Sequence, residues 1–199
     1  MPKNTHNKNK GDFMRDEFQT HFWWITEKWL KRPLSDFFEV GSTEYAILTR
    51  FSEGWGTRDT VELLTELTAK YGDVAGRAVE KYAELNVLKD WAEIGKKEAH
   101  EGTELEDLIR VLLGFMKEER GLEFTMKREK GTVTFCVTKC PVHELAEKTG
   151  MHEWLYHLAC STDFHVARAF SAKIGLTRTK TLMHSQECCN HRYYYRTER

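Results

Sequence analysis

The sequence predicts an α+β fold: N-terminal helices, then an antiparallel sheet of two hairpins with helices inserted between them. Three observations predict it. Apolar residues recur at helical spacing through residues 59–116. The period drops to two over Leu122–Val137, on both sides of a Glu129-Lys130-Gly131 turn. Helical spacing then returns, and Cys188–Tyr195 closes the chain with a second alternating stretch.

Each element has a local cause. Phe13, Phe18, Phe22, Trp23 and Trp29 lie in a stretch from Asp12 to about Leu30, which predicts a helix docking by its aromatic face, ended by Pro33. Gly54 and Gly56 around Trp55 predict a loop over Phe51–Thr57. Thr57 or Asp59 caps a helix with Val61, Leu64, Leu67 and Tyr71 on one face, stopped by Gly72. Asp73 opens another, whose Ala75, Ala78, Val79, Tyr82 and Ala83 form a buried stripe. Thr103 and Glu106 fit a capping box before Leu105, Leu108, Ile109, Leu112 and Met116. Leu122, Phe124 and Met126 then pair with Val133, Phe135 and Val137 as a hairpin with one apolar face. Helices follow at Val142–Thr149 and His152–Ile174, with Gly150 and Gly175 as stops. Leu176–His184 and Cys188–Tyr195 form the second hairpin. The expected organisation is a flexible tail over 1–11, a helical region over 12–100 and an α+β region over 101–199, the last two forming one compact unit.

Composition narrows the function classes. Among 199 residues, six Trp, eleven Phe and seven Tyr exclude wholesale disorder. A net charge of −1 speaks against a protein that grips a phosphate backbone, so no nucleic acid partner is expected. The longest apolar run, Phe22-Trp23-Trp24-Ile25, is far short of a membrane span, and Met1–Lys10 is no secretory leader. A cytoplasmic address is the expectation. Five Cys is an odd number, which disfavours a disulfide framework and leaves thiols for catalysis or metal.

The chemistry-bearing residues are unevenly spread. All five Cys and six of nine His follow residue 135. Residues 130–199 hold ten Lys and Arg against six Asp and Glu, while the remainder is acidic. The last third therefore suits an anionic small-molecule ligand.

Three groups stand out there. Cys140 precedes Pro141, which favours the first helical position, so Cys140 falls at a helix N-cap. The unpaired N–H groups and dipole there lower a thiol's pKa and supply thiolate at neutral pH. A plain buried thiol is the alternative. Cys136 has the strand parity of Cys140 and is placed on its face. Cys160 and Asp163 are i, i+3 neighbours with His157 one turn before; a carboxylate beside a thiol can take its proton or hold a cationic nitrogen. The alternative is that Thr162 or Asp163 caps a second helical segment and Cys160 is core. Cys189, His191 and Tyr193 share one face of the last strand; Cys188, Asn190 and Arg192 share the other. Nothing local decides which face is covered.

A metal is the competing chemistry. Cys140, Cys160, Cys189 and His191 form a set that suits zinc, although no C-x-x-C pair is present. The chain also lacks G-x-S-x-G, a P-loop, G-x-G-x-x-G and H-E-x-x-H, which removes the commonest hydrolase, nucleotide-binding and zinc-protease readings.

The ordered elements Thr138-Lys139-Cys140-Pro141, Cys160-Ser161-Thr162-Asp163, Thr179-Lys180-Thr181 and Cys189-Asn190-His191-Arg192-Tyr193 resemble the L-2-amino-thiazoline-4-carboxylic acid hydrolase family. That family shows a Cys after a strand, a C-x-x-D element, a T-x-T strand and a terminal Cys before an aromatic-basic strand. The resemblance spans residues 100–195. It implies hydrolysis of a non-peptide C–N bond in a cyclic amidine, opening a thiazoline ring, with no cofactor. On that reading the thiolate of Cys140 or Cys160 attacks the amidine carbon. Asp163 holds the amidinium or moves the proton, His191 serves as acid or base, and Arg192 or Arg178 binds a substrate carboxylate. Two alternatives are a zinc- or iron-binding sensor or scaffold built on the Cys/His set, and an inactive relative that binds partners through the aromatic N-terminal helix.

Overall fold

The computed structural model describes residues 10–118 and 121–196, with side chains placed outside residues 10–14 and 118. The element order is α1 (Lys10–His21), α2 (Trp23–Glu27), α3 (Thr43–Gly54), α4 (Thr60–Tyr71), α5 (Asp73–Glu98), α6 (Glu104–Glu118), β1 (Glu123–Glu129), β2 (Thr132–Lys139), α7 (Pro141–Thr149), α8 (His152–Leu155), α9 (Asp163–Phe170), β3 (Ile174–Thr177) and β4 (Cys189–Tyr195). The fold is α+β, with an antiparallel sheet in the order β1-β2-β4-β3. Of the tail expected over 1–11, residues 1–9 lie outside the described residues, and Lys10 and Gly11 already belong to α1. The chain divides into two compact units, Met1–Ala78 and Val79–Arg199.

The first unit is built around aromatic rings. Phe18, Phe22, Ile25 and Trp29 are buried. Trp55 meets Phe18 and Phe22 edge-on, with ring centroids 5.3 and 5.6 Å away, and stacks on Phe51 at 5.0 Å. These are the separations at which aromatic pairs attract beyond simple burial. Most of the aromatic face is thus spent on this unit's own core, while Trp23 is exposed; Phe13 lies outside the described side chains. Two expectations need correction. The first helix breaks at Phe22 (φ −133°, ψ 32°), within a run of bulky residues of low helix propensity. The loop expected at Phe51–Thr57 begins later, because α3 runs through Gly54, capped by Ser42 Oγ accepting from Tyr45 N–H at 3.1 Å.

The second unit carries the sheet. On its covered face Val133, Phe135 and Val137 of β2 stand opposite Tyr193, His191 and Cys189 of β4. The hydrophobic pattern thereby fixes the register, since a one-residue slip would turn the apolar set to solvent. Leu105, Leu108 and Ile109 of α6 are buried, as the helical stripe predicts. The N-terminus of α6 departs from the expected box. There Asp107 Oδ2 accepts from His100 N–H (3.0 Å) and Thr103 Oγ1–H (3.1 Å), while Glu106 accepts from Tyr195 OH at 3.0 Å.

The helix expected over His152–Ile174 is three pieces. After α8 the backbone makes a π-turn over Tyr156–Cys160, closed by Ser161 N–H donating to Tyr156 C=O at 2.9 Å. The Ser161 and Thr162 hydroxyls donate to the carbonyls of His157 (2.8 Å) and Ala159 (2.6 Å) and divert the chain before α9. Gly175 is no helix stop but lies within β3, where a Cβ would stand 2.6 Å from Tyr194 Cζ. Strand β3 runs from Ile174 to Thr177, so it starts before and ends well short of the expected Leu176–His184. The chain beyond is held to β4 by Asn190, whose Oδ1 accepts from the N–H groups of Thr179 (2.9 Å) and Lys180 (2.7 Å). A 3-10 turn at Leu182–His184 follows, and Ser185 takes the left-handed conformation (φ 57°) that leads back towards β4.

Candidate active site

Cys140 occupies the N-cap of α7, in extended conformation (φ −138°, ψ 122°), with Pro141 as the first helical residue. Its carbonyl accepts the first helical bond, from Glu144 N–H at 3.0 Å. The side chain is half-buried against Val137, Leu182 and Cys189. It faces a cavity of about 210 Å³ whose walls include Phe135, Val137, Cys160, Asp163, Arg178, Cys189, His191 and Tyr193. Leu112 and Met116 of α6 add apolar wall.

Cys160 and Asp163 reach the same cavity from the end of the π-turn and the start of α9. π-Turns of this kind recur at functional sites because they shift side chains out of helical phase. Thr162 supplies no side-chain cap to α9. Burial pushes the Cys160 thiol well above its ordinary pKa, and the Asp163 carboxylate adds to that. The Arg178 guanidinium pulls the other way without winning, and Cys140 and Cys189 push further in the same direction as burial. Cys160 is therefore a neutral thiol at pH 7. His157 does not join this group; its Nδ1 lies 3.1 Å from Glu80 Oε2 of α5.

One carboxylate oxygen organises the polar end. Asp163 Oδ2 accepts from Arg178 Nη1 at 2.6 Å and stands 3.0 Å from His191 Nε2. The acceptor favours the tautomer with hydrogen on Nε2. The Arg178 side chain is only 3% exposed. Burial is the largest single influence and disfavours its charge, but Asp163 together with Cys160 and Tyr156 outweighs it, and Arg178 ends with its pKa above the ordinary value. Its guanidinium lies against the rings of Phe164 (5.1 Å) and Tyr156 (5.6 Å). Neither ring is distinguishable as a site residue in the sequence, although Phe164 adjoins Asp163. Burial keeps the Tyr193 phenol protonated at the cavity wall, with Asp163 acting in the same sense.

The structure settles the face of β4: Cys189, His191 and Tyr193 face the cavity, and Arg192 does not. Arg192 is exposed on the opposite face, over the Tyr194 ring at 5.2 Å, with Nη2 3.5 Å from Thr132 Oγ1. Of the two arginines expected near a substrate carboxylate, only Arg178 is at the cavity. Cys136 also faces away from Cys140, because β2 ends at Lys139 and its alternation does not carry to the helix cap. Cys136 instead hydrogen-bonds Cys188; that bond, with burial, pushes the Cys188 thiol up to about 11. Cys189 is held in the wall, its Sγ accepting from Leu182 N–H at 3.2 Å and donating to Thr181 Oγ1 at 3.5 Å.

Cys189 and His191 direct their donor atoms to protein partners. Among the described residues, the donor atoms of Cys140, Cys160, Cys189 and His191 are not gathered into a metal-sized group. No helix among the described residues is long and apolar enough to cross a membrane.

A family model described as L-2-amino-thiazoline-4-carboxylic acid hydrolase matches residues 52–193. That span contains every residue of the cavity wall and extends upstream through α4 and α5. No curated protein and no solved structure matches the chain. With most of its length matched by that model, the chain belongs to the L-2-amino-thiazoline-4-carboxylic acid hydrolase family.

Proposed function

We propose that the protein opens the ring of a thiazoline-type cyclic amidine carboxylate by hydrolysis of its C–N bond, with Cys140 as nucleophile. The observation that carries this reading is the convergence of Cys140, Cys160, Asp163, Arg178 and His191 on one small cavity. Among the three thiols there, Cys140 sits at a helix N-terminus, Cys160 is held neutral by burial and Cys189 is tied into the wall.

The chemistry follows from the substrate class that the family's description names. Such a substrate carries a carboxylate and, when protonated, an amidinium. Arg178 and Asp163 set a positive and a negative charge side by side, which complements that zwitterion. Cys140 Sγ adds to the carbon between sulfur and the two nitrogens. The ring nitrogen takes up a proton and leaves as an amine, so the C–N bond breaks while the carbon stays bound to Cys140. Water then adds to that carbon and the Cys140 thiolate departs, leaving an S-carbamoyl product. The two hydrogens gained by the ring nitrogen balance the two that water gives up. His191, held by Asp163, moves these protons, as in other thiol–imidazole–carboxylate sites. No cofactor is required for this sequence of steps.

The test is incubation of the full chain with L-2-amino-thiazoline-4-carboxylic acid, followed by mass spectrometry. The expected result is a product heavier by one water with a new primary amine, and acid quench traps an adduct on the tryptic peptide containing Cys140. An unchanged substrate over a panel of thiazoline and related cyclic amidine carboxylates contradicts the proposal.

A further inference from the structure

Outside the cavity, His143, Glu147 and His152 bring two imidazoles and a carboxylate together, with one donor atom from each within 4.8 Å of the others. We propose that these three residues form a second site that binds a divalent transition metal of the zinc class, clasping α7 to α8.

The backbone prepares the arrangement. His143 and Glu147 are one turn apart on the same face of α7. Gly150, in the left-handed conformation (φ 71°), ends α7 with its N–H donating to Ala146 C=O at 2.7 Å. The chain then reverses, and His152 opens α8. As a result both His143 Nε2 (3.5 Å) and His152 Nε2 (2.7 Å) approach the same oxygen, Glu147 Oε1. Tetrahedral ligands about 2.0–2.2 Å from zinc stand roughly 3.3–3.6 Å apart; the His143–Glu147 contact already has that spacing, and the shorter His152–Glu147 hydrogen bond must open by about 0.6–0.9 Å. Small side-chain rotations therefore suffice to admit the ion. Two imidazoles and one carboxylate are borderline donors that suit zinc, cobalt or nickel over calcium or magnesium, and the exposure of Glu147 leaves room for water as a further ligand.

The clasp would tie together two segments that matter to the cavity: α7 starts at the Cys140 cap, and α8 runs into the turn that ends at Cys160. The site rests on its own geometry and not on the hydrolase reading, and its test needs no activity.

The experiment is titration of chelator-treated full chain with zinc and, separately, cobalt(II). The expected result is one equivalent bound, a rise in melting temperature, and a cobalt spectrum without a thiolate-to-metal charge-transfer band. His143→Ala and His152→Ala each remove a ligand; loss of outer partners alone costs about 10–100-fold in affinity, so each should weaken binding at least that much. Cys140→Ser and Cys160→Ser should leave it unchanged. Absence of binding, a thiolate band, or loss of the metal with the cysteine variants and not the histidine variants overturns the proposal.

Discussion

Asp163 and Arg178 form a 2.6 Å hydrogen-bonded ion pair in which the arginine side chain is almost wholly buried. The pair joins the start of α9 to the segment just beyond β3, and His191 leans on the same carboxylate oxygen. Asp163→Asn keeps an acceptor but removes the counter-charge. Hydrogen bonds to charged groups contribute about 1.5–3 kcal/mol, so urea unfolding should show a loss of that size. A variant as stable as the parent would mean that Arg178 is neutralised by another group.

Gly95 meets Phe170 where α5 passes α9. A Cβ at residue 95 would stand 2.1 Å from the Phe170 carbonyl oxygen, and backbone cannot yield as a flexible side chain does. Gly95→Ala should destabilise the protein by about 3 kcal/mol or more, read from the unfolding midpoint. Retained stability would place the two helices farther apart.

The thiols should react in a fixed order. A time course of iodoacetamide labelling at neutral pH, read by peptide mass spectrometry, should show Cys140 alkylated well before Cys160 and Cys189. A helix N-terminus favours thiolate, and Cys140 sits at one, while burial holds the Cys160 proton and protein bonds hold Cys189. Faster labelling of Cys160 would move the nucleophile to that residue.

Much of this arrangement is legible in the sequence. The Cys140-Pro141 pair announces a helix cap, and alternation around Gly131 announces the first hairpin, because both depend on neighbours in the chain. The covered face of β4 does not announce itself: Cys189-His191-Tyr193 and Cys188-Asn190-Arg192 are equally plausible until α6 and the turn into α9 cover one of them. The π-turn at Tyr156–Cys160 is similarly hidden, since its residues have ordinary helical spacing and only the Ser161 and Thr162 hydroxyls signal a diversion. Convergence of the thiols with Arg178 is a tertiary fact, set by strand order and not by spacing.

Alkaline pH should weaken the fold through these same thiols. Cys160 lies well above its ordinary pKa, and Cys188 is raised to about 11. The folded protein then keeps protons that the unfolded chain releases above roughly pH 8.5, so stability is full below that pH and falls as pH rises towards 11. Urea midpoints at about pH 8 and about pH 10.5 should differ in that direction, and Cys188→Ala should reduce the difference. An unchanged midpoint would mean that these thiols ionise as freely in the folded state as in the unfolded one.

The central claim is that Cys140 does the chemistry within this cavity. It is tested most directly by steady-state turnover of L-2-amino-thiazoline-4-carboxylic acid by the parent protein, Cys140→Ser and Cys160→Ser, each checked for folding by circular dichroism. The account predicts that Cys140→Ser loses turnover by about a thousandfold or more, while Cys160→Ser retains a measurable part of it. A folded Cys140→Ser protein that turns over like the parent would contradict it.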